Sequence, residues 1–182
     1  NMTVIVPCDV IEARKATNSS VLNCDGPVYL RFGREKSPVF TTEKTPFEIG
    51  KAIVMREGKD LTIVGCGMLL YNALIAAEEL SKEGIEAAVI NSHTVKPLDI
   101  ITILNSVKET KAVITVEEHQ VMGGLGSAVS EALSQHFPAP QEFIGVRDRF
   151  GESGEPDELI EHFGLGVKDI KSAALRVIKR KV

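Results

Sequence analysis

Cysteine is scarce in this sequence, and the cysteines that are present form no recognisable site. The 182 residues contain three cysteines. They are Cys8, Cys24 and Cys66, an odd number at wide spacing without a CxxC pair. Such a set excludes a disulfide framework and offers no metal-ligand pattern. We therefore expect free thiols in a reducing cytoplasm and no metal held by this chain.

Long apolar runs and a strong excess of charge are also absent. No run approaches the roughly 18 apolar residues that a membrane-spanning helix needs. No basic segment followed by an apolar one opens the chain, as it would in an export signal. The formal net charge of −4 gives no electrostatic reason to bind nucleic acid or an anionic membrane. We expect a cytoplasmic protein with neither partner.

What remains is the composition of a globular protein, with 43% hydrophobic and 25% charged residues, enough to build a core. The length fits one domain, or one domain with a fragment of another. The chain enters an apolar strand almost at once, at residues 3–6. We therefore expect it to continue a domain whose earlier part lies upstream.

Hydrophobic periodicity predicts alternating strands and helices from residue 52 onward. The predicted strands cover residues 52–55, 61–64, 87–91, 112–116 and 143–146. The predicted helices cover residues 68–83, 99–107 and 127–136, one helix that begins at Pro156, and one from residue 168 to the C-terminus. Helical crossovers make successive strands parallel. We predict an α/β fold, a three-layer αβα domain with a mostly parallel five-stranded sheet.

The first 51 residues lack this regularity. They predict a strand at residues 3–6, a helix at 10–17 and a strand at 28–32. Residues 34–46 are charged, contain two prolines and show no period, which indicates a linker. Residues 92–99 are predicted to form a loop.

Polar side chains follow two strands that we expect to be close in the sheet. His93 follows the strand at 87–91, and His119 follows the strand at 112–116 beside Glu117 and Glu118. Ligands of open parallel sheets lie beyond the carboxyl ends of strands. A His–Glu pair there can serve acid–base chemistry or recognise a polar group. The alternative is that each histidine is a surface or interface residue.

Two glycine-rich turns are candidate anion sites. Residues 65–70, GCGMLL, resemble the start of a dinucleotide fingerprint, but Leu70 replaces its third glycine and no acidic residue follows the next strand. A tight strand-to-helix turn is the simpler interpretation. Residues 123–127, GGLGS, are the better candidate, because glycines at a helix N-terminus can point N–H groups at an anion. The alternative is that backbone shape alone requires these glycines.

Arg31 and Arg34 end or follow the second predicted strand. A planar guanidinium suits a phosphate or carboxylate. Each arginine can equally be a solvated charge of the linker.

Several motifs together resemble the transketolase-like thiamine-diphosphate enzymes. Residues 7–9, PCD, and 26–34, GPVYLRFGR, resemble the end of the family's pyrimidine-binding domain. The resemblance to the transketolase C-terminal domain lies in residues 47–52, FEIGKA; 90–99, INSHTVKPLD; 116–119, VEEH; 123–127, GGLGS; and 148–154, DRFGESG. It implies a pyrimidine-domain remnant plus linker at residues 1–45 and a C-terminal domain at 46–182.

The resemblance implies part of a transketolase of the pentose phosphate pathway, which moves a two-carbon ketol unit between sugar phosphates. Thiamine diphosphate and Mg²⁺ would be bound by a missing N-terminal part or subunit, so this chain alone would bind no cofactor and be inactive. The family's activating glutamate lies upstream of the segment matching Asn1, which leaves no catalytic residue here. Arg34 matches a family arginine that contacts the substrate phosphate. A homodimer is expected.

One position departs from part of the family. Deoxyxylulose-phosphate synthases and the beta subunits of 2-oxoacid dehydrogenases tend to carry arginine where His93 stands, so His93 favours the transketolase branch. Both of those enzymes remain alternatives. A third alternative is a non-catalytic dimerisation or regulatory module.

Overall fold

The computed structural model describes residues 1–181 of the chain, and they form two sheets flanked by helices. The strands are β1 (Thr3–Ile5), β2 (Val28–Leu30), β3 (Ile53–Arg56), β4 (Leu61–Gly65), β5 (Ala87–Asn91), β6 (Thr94–Lys96), β7 (Val113–Gln120) and β8 (Gln141–Val146). The helices are α1 (Val10–Leu22), α2 (Leu69–Lys82), α3 (Ile100–Thr110), α4 (Leu125–His136), α5 (Pro156–His162) and α6 (Val167–Ile178). None of these helices is long and apolar enough to cross a membrane.

The larger sheet confirms the predicted fold class. Its five strands lie in the order β3-β5-β4-β7-β8, with β3 antiparallel to β5 and every other pair parallel. All residues of β4 and β5 are buried, as expected for central strands covered on both faces. Helices α2 and α6 supply one hydrophobic cluster, and α3 and α4 supply the other. The result is an αβα sandwich.

Helix α2 shows how local sequence sets this architecture. Its buried side chains recur at helical spacing and form one apolar stripe, namely Leu69, Leu70, Ala73, Ala76, Ala77 and Leu80. The helix ends at Lys82, and Gly84 follows it with a φ of 84°, in the left-handed region that glycine adopts without strain. The N–H of Ile85 then donates to the carbonyl of Leu80 at 3.0 Å. The helix stop predicted at this glycine is confirmed.

The smaller sheet, in the order β2-β1-β6, joins the two parts of the chain. Strand β2 is parallel to β1, and β6 is antiparallel to it. The prediction of a plain loop at residues 92–99 was wrong, because β6 lies inside it. A strand of three residues beside Pro97 is too short to show a period, and it exists through its pairing with β1.

Several predicted boundaries shift by a few residues. Helix α1 continues to Leu22 rather than residue 17, because no glycine or proline interrupts it before residue 23. Strand β7 runs on to Gln120 and includes the residues that were expected to follow it. Helix α3 extends to Thr110, β2 stops at Leu30, and α4 begins two residues early. The last helix ends at Ile178, and the C-terminal residue lies outside the described range.

Candidate functional site

Two clefts flank the junction between the smaller sheet and the end of β7. One has a volume of about 460 Å³ and is lined by residues of β1, β6 and α4 together with His119. The other, of about 500 Å³, is lined by the start of α1 and by the segment that follows β2. Arg31, Glu118 and Val6 line both clefts and form the wall between them.

Arg31 links the smaller sheet to β7. Its backbone N–H donates to the carbonyl of Ile5 at 2.9 Å, which extends the β1–β2 ladder by one residue. Its Nη2 donates to the backbone carbonyl of Glu118 at 2.7 Å, across 87 positions of sequence. The guanidinium therefore lies partly buried at the cleft wall rather than in a solvated linker.

Arg34 lies three residues further on and is almost fully solvated. Its side chain is 95% exposed, and its Nε lies 3.7 Å from a carboxylate oxygen of Glu35. An exposed pair at that distance contributes little. The guanidinium can therefore reorient towards an anionic ligand.

The glycine loop ahead of α4 already holds an anion, the carboxylate of Glu117. Its Oε2 accepts from the N–H of Leu125, and its Oε1 accepts from the N–H of Gly126, each at 2.8 Å. A Cβ on Gly124 would lie 2.2 Å from Oε2 of this carboxylate. Glycine is required at residue 124 by the approach of Glu117, in agreement with the alternative that backbone shape requires these glycines.

Two features of the surroundings shift the pKa of Glu117 in opposite directions. Burial raises the pKa of this carboxyl above its ordinary value, while the N–H groups of Gly126 and Leu125 act to lower it. His119 lies nearby, with its Nδ1 3.8 Å from Oε2 of Glu117 and 2.8 Å from the carbonyl of Gln120. His119 and Glu117 are thus neighbours without a hydrogen bond between them, and His119 is half exposed on the wall of the first cleft.

His93 occupies a different place, because it is fully buried. Its ring stacks on Phe47 with centroids 4.2 Å apart, and its Nδ1 lies 3.1 Å from Oγ1 of Thr94. Its Nε2 has no hydrogen-bond partner among the described residues. Burial lowers the pKa of His93 to about 4, so the ring is neutral at pH 7. The structure does not bring His93 and His119 into one cleft.

The turn at residues 65–67 serves the packing of β1. The N–H of Gly67 donates to the carbonyl of Val6 at 3.0 Å. Cys66 is buried beside it, and burial raises the pKa of its thiol. The turn therefore holds the smaller sheet against the larger one, in agreement with the simpler interpretation.

Glu12 is a buried carboxylate to which the sequence interpretation assigned no role. It is buried, its Oε2 accepts from the N–H of Cys8 at 2.7 Å, and its Oε1 accepts from the amide of Asn91 at 2.7 Å. Its own N–H donates to the capping carboxylate of Asp9. The signal was present as an acidic N-cap followed three residues later by glutamate, which resembles a capping box.

The described residues contain no cluster of side chains that would hold a metal ion by itself. No group of three or more His, Cys, Asp or Glu side chains within residues 1–181 is placed to hold a metal ion. The helix N-terminus best suited to a phosphate is filled by Glu117.

Comparison with known proteins places the chain in a family. The family model described as "Transketolase, C-terminal domain" matches residues 50–170. The 6-deoxy-6-sulfo-D-fructose transketolase subunit SqwH of Clostridium sp. (strain MSTE9) is 47% identical over 180 residues, which cover 99% of this chain and 56% of that protein. A 1-deoxy-D-xylulose-5-phosphate synthase of Rippkaea orientalis is 39% identical over 181 residues, covering 97% of this chain and 28% of that protein.

A solved structure described as "Split gene transketolase, inactive beta4 tetramer" superposes with a TM-score of 0.94 at 42% identity, covering 100% of this chain and 59% of that one. The chain thus spans little more than half the length of its split relatives and a smaller part of the synthase. The resemblance seen in the motifs is confirmed. This chain belongs to the transketolase family, and residues 50–170 form its transketolase C-terminal domain.

Proposed function

We propose that this chain is the C-terminal portion of a thiamine-diphosphate enzyme that transfers a two-carbon ketol unit between sugars. The observation that carries the proposal is its likeness to a split-gene transketolase over its whole length, at 42% identity and a TM-score of 0.94. In this proposal the chain is inactive alone and acts with a portion that binds thiamine diphosphate and Mg²⁺, which is supported by its matching 56% of a relative named as a transketolase subunit.

The proposed substrates are sugars that end in a tetrahedral oxyanion. Arg34 binds this group, and its exposed guanidinium is free to make the charge-assisted hydrogen bonds that phosphate accepts. A sulfonate offers the same three acceptor oxygens with less charge. The relative named for 6-deoxy-6-sulfo-D-fructose makes sulfonate a candidate beside phosphate, including the phosphates of the pentose phosphate pathway.

The two histidines have unequal access to such a substrate. His119 is half exposed at the first cleft and can donate to a polar group directly. His93 can do so only if Phe47 moves from its ring. We further propose that residues 1–45 complete a pyrimidine-binding domain with the missing portion, that residues 46–182 act as the C-terminal domain, and that the assembly is a cytoplasmic homodimer.

The second candidate function is synthesis of 1-deoxy-D-xylulose 5-phosphate, favoured by the relative of that name at 39% identity. It differs in its donor, which would be a 2-oxoacid rather than a ketose. His93 favours the transketolase branch, since the synthases tend to carry arginine at that position.

The test is an assay of the assembled enzyme. The chain is purified together with the proposed thiamine-diphosphate-binding portion and supplied with one aldose phosphate acceptor. Three donors are compared, namely a ketose 6-phosphate, 6-deoxy-6-sulfo-fructose and pyruvate. Turnover with either ketose supports ketol transfer and identifies the anion, turnover with pyruvate alone supports the second candidate, and no turnover with any donor contradicts both.

Arg34→Ala tests the assigned residue within the same assay. Loss of a charge-assisted interaction of about 1.5–3 kcal/mol predicts that the KM for the anionic donor rises by roughly 10–100-fold. Lys44→Ala is the matched control, because it removes an exposed positive charge from the same linker. An unchanged KM in Arg34→Ala removes Arg34 from the site.

A further inference from the structure

We propose that Arg31 and Asp9 are positioning residues that hold the segment bearing Arg34 in place for the substrate anion. This inference rests on the proposed function. The segment is residues 32–39, here named the arginine loop. It begins after Arg31, the residue that follows β2, and ends where the chain returns to the start of α1.

Arg31 anchors the beginning of the arginine loop twice. Its backbone N–H is bound to Ile5 of β1, and its side chain is bound to the carbonyl of Glu118 in β7 at 2.7 Å. The first bond fixes the loop to the smaller sheet, and the second fixes it to the larger one. The neighbour of Glu118 is Glu117, which is itself bound to the N-terminus of α4. The loop therefore begins from a rigid point of the C-terminal domain.

Asp9 anchors the end of the loop. Its Oδ2 accepts from the N–H groups of Phe40 at 3.0 Å and Thr41 at 2.7 Å, and its Oδ1 accepts from the Thr41 hydroxyl at 2.7 Å. Asp9 is buried. Burial acts to raise the pKa of its carboxyl, but the hydrogen bonds from Glu12, Thr41 and Phe40 outweigh it and lower the pKa. The anchor is therefore ionised at neutral pH.

Between these anchors the arginine loop is held by little else. Within residues 1–181, no hydrogen bond joins residues 32–39 to another part of the chain. Most of its residues are exposed, and the Arg34 side chain meets the carboxylate of Glu35 within the same loop. The position of the Arg34 guanidinium is thus determined mainly by the two ends.

This arrangement has a consequence for substrate binding. A loop held at both ends loses less conformational entropy when its arginine engages an anion, so binding is tighter. If either anchor is lost, the Arg34 guanidinium is unchanged but samples more positions. The effect falls on the KM for substrates that carry the anion and leaves the chemistry at the cofactor unchanged.

The decisive variant is Arg31→Met in the assembled enzyme, which keeps an unbranched side chain and removes the bond to Glu118. We expect the KM for the anionic donor to rise about 5–10-fold with kcat within twofold, and the KM for the same ketose without its terminal anion to stay unchanged. Arg31→Lys should restore part of the loss. In an Arg34→Ala background, Arg31→Met should add nothing, because the two residues act as a unit.

Arg147→Met is the matched control, since Arg147 also donates to a backbone carbonyl, that of Phe143 at 3.1 Å, away from the loop. Equal KM changes for both ketoses, or additive effects of the two arginine variants, would overturn the inference. Hydrogen exchange on the same proteins gives a second readout. The hydrogen-bonded amides at the anchors report on them: the amide of residue 31 should exchange faster in Arg31→Met, and those of Phe40 and Thr41 should exchange faster in Asp9→Asn. Unchanged rates in both variants would also overturn the inference.

The outcomes separate the two proposals. A wild-type assembly without ketol transfer overturns both of them. A wild-type assembly that transfers ketol units and responds to Arg34→Ala but not to Arg31→Met overturns the positioning role alone.

Discussion

The buried carboxylate of Glu12 in α1 accepts a hydrogen bond of 2.7 Å from the side-chain amide of Asn91 at the end of β5. This bond crosses between the N-terminal segment and the large sheet of the C-terminal domain. It lies beside the β1–β6 pairing that joins the same two parts. The N-terminal segment is thus tied to the C-terminal domain by a strand pair and a buried polar contact.

The Glu12 contact predicts a pH dependence of stability. Burial raises the pKa of Glu12 above its ordinary value of 4.5, and the hydrogen bonds from Cys8 and Asn91 offset this only in part. Because the folded pKa is the higher one, the stability from this group is complete below pH 4.5 and is lost as pH rises through the folded pKa. The glutamine in Glu12→Gln cannot ionise, so this variant does not lose stability in this way as the pH rises.

Thermal melts between pH 4.5 and 7.5 check this prediction. The Tm of the wild type relative to Glu12→Gln should fall as the pH rises. Glu109→Gln removes an exposed carboxylate and serves as the control for the change in net charge. Parallel Tm profiles of wild type and Glu12→Gln would show that Glu12 does not titrate in this way.

The anchor of α4 predicts a strong effect at Gly124. A Cβ there would approach Oε2 of Glu117 to 2.2 Å and displace the carboxylate from the helix N-terminus. Overpacking of this kind destabilises by about 1–3 kcal/mol. We expect Gly124→Ala to lower the free energy of unfolding by that amount in urea titrations. Gly151→Ala, where no atom lies within 4 Å of the added carbon, should change it by less than about 0.5 kcal/mol.

Periodicity in the sequence predicted the large sheet well, because β4, β5 and α2 carry long, regular apolar patterns. It failed for elements whose existence or bounds depend on contacts between residues far apart in the sequence. Strand β6 exists only through its pairing with β1, and no local pattern reveals such a pairing. Helix α1 buries only Glu12 and Ala16, so it has no apolar stripe from which its end could be read.

The sequence pointed to candidate site residues by their type and motif, but it did not predict which residues they contact. Arg34 was assigned through a family motif, and that assignment stays a prediction. The bond from Arg31 to Glu118 joins residues 87 positions apart and could not be inferred from either neighbourhood. The two interpretations of the GGLGS loop stayed open because nothing in the sequence says that the glutamate eight positions before Leu125 folds back onto it.

The stack of Phe47 on His93 predicts an imidazole that stays neutral. Burial lowers the pKa of His93 to about 4, so stability from the neutral ring is present above pH 6.5 and is lost as the pH falls towards 4. An NMR titration of the histidine ring protons should show no protonation of His93 above about pH 5. Phe47→Ala admits water and should move the midpoint towards 6.5. A wild-type midpoint near 6.5 would contradict the buried position.

The N-cap of α3 predicts a graded loss of stability. Asp99 accepts from the N–H of Ala52 at 2.9 Å, from the N–H of Thr102 at 3.2 Å and from the Thr102 hydroxyl at 2.8 Å. Asp99→Ala removes all three and should destabilise by about 1–2 kcal/mol. Asp99→Asn retains one acceptor oxygen and should lose less. Denaturant titrations that rank the two variants the other way would show that the cap is not the source.

The central claim is that this chain supplies the C-terminal portion of a ketol-transferring enzyme, and a titration tests it most directly. The thiamine-diphosphate-binding portion is held at a fixed concentration, and ketol transfer to an aldose phosphate is measured as the chain is added. Turnover should rise from none to a plateau at equal amounts of the two portions. Folded portions that show no ketol transfer at any ratio would contradict the claim.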